Sequence, residues 1–103
     1  MNDLNSIILE GKVVEKPMFD DTGKLVSAIF PISVRRAFKT SNNETLEESY
    51  KFDIETYGEL AKACNNYCNL NRGVRVVGRL AEREGKVSVV AEHIEFKPQT
   101  KKA

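Results

Sequence analysis

Arg75, Arg79 and Arg83 recur at every fourth residue of GVRVVGRLAEREGK (73–86), so three cations line up whether the segment is a helix or a strand. Such a row either faces an anionic polymer or is a solvated edge, and for a single cluster the second reading is the commoner. A second basic group, Arg35, Arg36 and Lys39, brackets Phe38. Cations around an aromatic ring suit a ligand that carries both phosphates and flat bases, while a phenylalanine there equally suits closure of a core. Other chemistry is sparse. His93 is the single histidine, and no serine, cysteine or carboxylate cluster at catalytic spacing accompanies it. The glycines are scattered and form neither a phosphate-binding loop nor a dinucleotide fingerprint, so no enzyme is expected. Cys64 and Cys68 with one histidine cannot complete a zinc set; two buried, reduced, structural thiols are the expectation, and no cofactor or metal is implied.

A chain of 103 residues is long enough for one domain with a modest core. With 41% hydrophobic and 30% charged residues it has the composition of an ordinary folded protein. The longest early apolar run is Ile7, Ile8 and Leu9, which predicts neither a signal peptide nor a membrane span and points to the cytoplasm. The net charge of +1 conceals an asymmetry: residues 44–59 hold six acids against Lys51, and residues 73–103 hold seven bases against four acids. The local field, not the sum, attracts a polyanion, so a basic surface is compatible with a near-neutral total.

Several elements must position these residues. NSIILEGKVVEKP (5–17) has β-branched residues on both sides of Gly11 and stops at Pro17, the pattern of a strand that bends at its glycine. DDTGK (20–24) supplies turn chemistry. In LVSAIFPISVRRAFK (25–39), Phe30, Ile32 and Val34 alternate with Ile29, Pro31 and Ser33, which predicts a second strand whose proline marks an edge or a bulge. TSNNETLEES (40–49) is polar without period and predicts an exposed loop. YKFDIETY (50–57) predicts a third strand, with Tyr50, Phe52, Ile54 and Thr56 on one face and Lys51, Asp53, Glu55 and Tyr57 on the other. The period then changes: Leu60, Ala61, Cys64, Tyr67 and Cys68 form a helical stripe of about three turns. Gly73 and Gly78 make a poor helix interior, whereas Val74, Val76 and Leu80 alternate, so the arginine row belongs to a fourth strand. Glu84-Gly85 turns it into a fifth, KVSVVAEHIEFK (86–97), leaving 98–103 as a short polar tail to a domain of residues 1–97.

Three strands, a helix and two strands is the layout of an all-β OB-fold, a five-stranded Greek-key barrel with one helix between strands 3 and 4. Four stretches in that order resemble the bacterial single-stranded DNA-binding protein (SSB) family, from about Asn5 to Phe96. AIFPISVRRAFK resembles its second strand and the start of the following loop, with an aromatic near Phe38. YGELAK resembles the segment that begins its helix, and RVVGRL and VVAEHIEF resemble its last two strands. The resemblance implies non-catalytic, sequence-independent binding of single-stranded DNA in replication, recombination and repair. It also implies a homo-oligomer, a tetramer in preference to a dimer, in the cytoplasm at the nucleoid. The departures are that no tryptophan is present, Lys51 stands where the family places one, the 83–86 hairpin is short, and the chain stops at TKKA without an acidic tip. Partners recruited through such a tip are therefore not expected. Two other readings fit the same order: a primosomal OB protein acting as a dimer in replication restart, and an OB module binding proteins through the acidic segment 44–59.

On the first reading the phosphates meet two groups of cations. Arg75, Arg79 and Arg83 with Lys86 form one, and Arg35, Arg36 and Lys39 the other, with Lys51 on the third strand. The resemblance makes Phe38 and Tyr57 the stacking platforms. Parity turns Tyr57 outward, whereas Phe38 shares the inward parity of Phe30 and Val34, so a bulge or the coiling of the barrel is needed to expose it. Tyr50 and Phe19 are expected in core or loop packing. Asp53 and Glu55 share Tyr57's face and oppose a uniformly attractive surface.

Overall fold

The structure, a computed structural model, describes residues 2–99, so most of the expected polar tail lies outside the described residues. Along the chain run β1 (Ile7–Val13), β2 (Met18–Asp20), β3 (Ser27–Lys39), β4 (Thr45–Tyr57), α1 (Glu59–Tyr67), β5 (Gly73–Arg83) and β6 (Lys86–Phe96). Their neighbour order is β1-β5-β6-β4-β3-β2, and the ring closes because β3 also pairs with β1 at Lys12–Ser33 and Val13–Ile32. The five longer strands thus make the expected closed barrel. All pairings are antiparallel except β4–β6, which is parallel at Ile54–Val89 and Glu55–Val90.

Alternation fills the interior. Val13, Ala28, Phe30, Ile32, Ile54, Val74 and Val76 are fully buried, and β6 adds Val89, Ala91 and Ile94. One end is plugged by α1, whose Ala61 and Cys64, with Cys68 at its C-terminal cap, join the core; both thiols are free and buried. Tyr67, expected on the buried stripe, instead remains 52% exposed at the end of the helix. The helix is too short to cross a membrane.

Because β4 and β6 run parallel, the β3–β4 and β5–β6 hairpins both project from the end opposite α1. The radius of gyration, 15.5 Å, reflects these projections; a compact domain of this length measures about 13 Å. The β5–β6 turn is the expected two-residue one, closed by the Arg83–Lys86 pair with Glu84 at φ 53° and Gly85 at φ 81°.

Three local features differ from expectation or refine it. The strand β4 begins at Thr45, so the loop shrinks to residues 40–44. Residues 45–49 carry no apolar alternation because they lie beyond the barrel, where neither face is buried and only the backbone ladder to β3 defines the strand. The short β2, paired with Ser27–Ile29, is too brief to display a period. Pro31 interrupts nothing. Its carbonyl accepts from the Val14 N–H at 3.1 Å, so its nitrogen faces the gap between the β1 and β2 pairings rather than β4.

Two glycines permit close strand crossings. At Gly11 an added Cβ would lie 2.4 Å from the Ser33 carbonyl oxygen, where β1 crosses β3. At Gly78 it would lie 2.1 Å from the Val90 carbonyl oxygen, beside the register shift in β6. Backbone cannot yield as a side-chain tip does. Gly78→Ala is therefore expected to cost about 1–3 kcal/mol, read as a lower urea midpoint; an unchanged midpoint would mean that the bulge absorbs the methyl group.

Candidate nucleic-acid interface

The β3–β4 ladder holds one register over thirteen residue pairs, from Ser27–Tyr57 to Lys39–Thr45. Side chains therefore keep to two faces along its whole length. The outer face bears Arg35, Lys39 and Lys51 with Ser33, Ser49 and Glu47. The other face, which is barrel interior at Phe30 and Ile54, continues past the barrel as the pairs Val34–Tyr50, Arg36–Glu48 and Phe38–Leu46. The group Arg35, Arg36, Phe38 and Lys39 is accordingly split, with Arg36 and Phe38 on one face and Arg35 and Lys39 on the other. No bulge turns Phe38. Its parity is the inward one, but the interior ends before the strand does, which leaves the ring half-buried beneath the Arg36 guanidinium at 5.1 Å. Tyr50, expected in core or loop packing, and Phe52 share that face at 47% and 36% exposure for the same reason, and the Tyr50 hydroxyl donates to Glu48.

The arginine row occupies one outer face of β5, as the alternation predicts, yet every member meets a carboxylate. Arg75 donates through Nε (3.1 Å) and Nη2 (2.8 Å) to Glu10 and lies 3.7 Å from Glu95, its cross-strand neighbours on β1 and β6. Arg79 lies 3.6 Å from Glu92, and Arg83 lies 2.9 Å from Glu55. Glu10 also binds Lys97, and these two cations hold its carboxyl below the usual carboxylate range. Among the described residues, Arg35, Arg36, Lys39, Lys51 and Lys86 enter no ion pair.

Glu55 is the buried acid of this surface, 6% exposed. It accepts hydrogen bonds from Arg83, from the Ser88 hydroxyl and from the Tyr57 hydroxyl at 2.6 Å. The Arg83 bond is the largest influence, and against the opposing effect of burial these donors hold its carboxyl down at about 2. Tyr57 does face outward and is half-buried, but its hydroxyl is committed, and the bond to Glu55 pushes its own pKa up. Through Glu55, Arg83 of β5 and Ser88 of β6 tie the β5–β6 hairpin to β4.

Two depressions flank the outer face of β3. The larger, about 520 Å³, lies at the β1–β3 crossing and is lined by Lys12, Ser33, Arg35, Asn71 and Lys97 with Glu10. The smaller, about 280 Å³, is lined by Lys16, Ile29, Pro31 and Lys51 with Glu15 and Asp53. Sequence reading missed Lys12 and Lys16, which are isolated lysines along the chain and become neighbours of Arg35 and Lys51 only when the barrel closes. It also missed Tyr50 and Phe52, whose exposure depends on where the barrel ends.

A five-strand barrel plugged by one helix, with paired hairpins beyond its open end and cations along one outer wall, defines an OB-fold of the oligonucleotide-binding type. The chain belongs to the Single-strand binding protein family, whose family model matches residues 4–97. It is 26% identical to Single-stranded DNA-binding protein 2 of Chlorobaculum tepidum over 99% of this chain and 76% of that protein. Its fold superimposes on the Plasmodium falciparum SSB in complex with single-stranded DNA with a TM-score of 0.83, at 20% identity, over 95% of this chain and 98% of that one. A deletion mutant of the Thermus aquaticus single-stranded DNA-binding protein matches with a TM-score of 0.78 at 22% identity over 92% of this chain, which spans about half (51%) of the length of that chain.

The Glu55 cluster gives the surface a measurable acid limb. Its folded pKa is depressed from 4.5 to about 2, so its stabilisation is complete above 4.5 and is lost as pH falls through that window. Glu55→Gln is expected to lower stability by about 2–3 kcal/mol at neutral pH and to flatten the pH dependence of unfolding below 4.5. Chemical denaturation across pH reads both; a variant with an acid limb as steep as that of the wild type would place the titrating group elsewhere.

Proposed function

We infer that this chain binds single-stranded DNA without regard to sequence and without a chemical step, in replication, recombination and repair. The observation that carries the reading is the sorting of the β3–β4 hairpin into a face of unpaired cations, Arg35, Lys39 and Lys51, and a face of half-exposed rings, Phe38, Tyr50 and Phe52. A strand that wraps the hairpin sets its phosphates on the first and stacks its bases on the second, the two kinds of contact that single-strand binding combines. Lys12 and Lys16 extend the cationic wall along the two depressions. Arg36, stacked on Phe38, and Lys86, free at the tip of the second hairpin, join the contacts. Arg75, Arg79 and Arg83 contribute less, because a phosphate must displace a carboxylate before it can use them. Tyr57 offers one ring face while its hydroxyl stays on Glu55. Membership of the family and the fold shared with a relative solved in complex with single-stranded DNA support this reading.

The ring set is small and lacks tryptophan, so each copy grips modestly and the working form is a homo-oligomer, a tetramer in preference to a dimer, whose barrels share one strand and raise affinity through effective concentration. Light scattering that returns a monomer at binding concentrations would remove this step. The place of action that follows from such a ligand is the nucleoid.

Salt titrations separate the two classes of cation. Lys51→Ala and Arg35→Ala are each expected to reduce the slope of log K against log salt by about 0.7, whereas Arg75→Ala changes it by much less. Equal reductions for all three would show that ion pairing does not shield the row. Phe38→Ala or Tyr50→Ala is expected to weaken binding by about 1–3 kcal/mol, measured by anisotropy of a labelled oligothymidylate. Unchanged affinity for both would remove the hairpin face from the site.

A further inference from the structure

The groove at the β1–β3 crossing reaches residues beside the C-terminal end of β6. Its wall includes Asn71, Gly73 and Lys97, and between Asn71 and Gly73 in the chain stands Arg72. Arg72 is fixed there: its backbone carbonyl accepts from Val13 N–H at 3.0 Å, and its Nε donates to the Lys97 carbonyl at 3.0 Å. Its guanidinium carbon lies 5.8 Å from the centroid of Phe96, and among the described residues it meets no carboxylate. The ring of Tyr67 packs on Phe96 with centroids 5.5 Å apart and planes at 53°. Phe96 itself leans on the core, so the exposed member of the set is Tyr67, open over 52% of its surface with no hydrogen bond to its hydroxyl among the described residues. Half-exposed beside Phe96, Tyr67 presents ring surface that the barrel core does not use.

We propose that Tyr67, backed by Phe96 and flanked by Arg72, is a second base-stacking platform at the helix end of the barrel. It takes a nucleobase from the strand whose phosphates cross the groove past Arg35 and Lys12. The proposal rests on the single-stranded DNA reading above and adds a contact at the end of the molecule opposite the hairpins. A flat π-face with an unneutralised guanidinium beside it matches a nucleotide, which presents a base and a phosphate together. Glu10, bound to Lys97 and Arg75, is the opposing charge in the groove.

Anisotropy with a labelled oligothymidylate of about 16 nucleotides, near the upper site size of one OB-fold, tests it. Tyr67→Ala is expected to weaken binding about five- to hundredfold, while Tyr67→Phe binds as the wild type does. Tyr67→Leu, which keeps apolar packing on Phe96 but offers no π-face, is expected to weaken binding at an unchanged thermal midpoint, and it carries the test if the alanine variant unfolds. Photo-crosslinking with 5-iodouracil in the oligonucleotide is expected to mark Tyr67. Wild-type affinity of the alanine and leucine variants with no crosslink at Tyr67, while Phe38→Ala still weakens binding, overturns the platform and leaves the DNA reading intact. Failure of the wild-type protein to bind at all overturns both.

Discussion

The unbroken ladder between β3 and β4 is the constraint from which the rest of the surface follows. Because a strand alternates with period two and no bulge intervenes, the face that is core at Phe30 and Ile54 must still be the same face at Phe38 and Leu46, well beyond the barrel. The outer face is fixed by the same rule and carries Ser33, Arg35, Lys39 and Lys51. A slip of one residue would exchange the two sets. Stability alone gives no reason for this length: past Val34, which still packs against the core, Leu46 and Tyr50 on the same face remain 44% and 47% exposed. Rings left uncovered in an ordered hairpin suit a ligand that brings its own flat apolar surfaces.

How much of this was legible along the chain depended on whether burial enforced a pattern. Within the barrel it did, and the alternation of Phe30, Ile32 and Val34, the helical stripe at Ala61 and Cys64, and the Glu84-Gly85 turn could all be read directly. Outside it, Thr45–Ser49 are strand with no side chain that says so, because only backbone hydrogen bonds define them there. Phe38 illustrates the boundary. Its parity was readable, but whether that parity means buried or exposed depends on the distance from the end of the barrel, which is set by how β1, β5 and β6 close around it and not by any neighbour in sequence.

Charge was less legible than shape, for a related reason. Three arginines at every fourth residue correctly announced one face of one strand. Their partners, Glu10, Glu92, Glu95 and Glu55, come from β1, β6 and β4, and only the folded sheet brings them together. Free and neutralised cations look identical in a sequence, yet they differ in what they give a polyanion. An unpaired lysine releases condensed counterions when it meets a phosphate, whereas a paired arginine only exchanges one anion for another. The most conspicuous cations along the chain are thus better suited to holding barrel strands together, and inconspicuous ones such as Lys12, Lys16 and Lys51 are better placed for a ligand.

A single strand is held by contacts in series, and the spacing of the contacts matters as much as the strength of each. The hairpin rings lie at one end of the barrel and Tyr67 at the other, with the cationic wall of β3 and the crossing with β1 between them. Once one base is seated, the neighbouring phosphates are already near that wall, so each later contact forms at high effective concentration rather than from bulk solution. A chain with small rings and no tryptophan can therefore reach useful affinity by distributing weak sites along a rigid path. The order comes from the closed barrel and from the β3–β4 ladder that continues past it, which hold the platforms in place, so little ordering entropy is lost when the strand is laid across them.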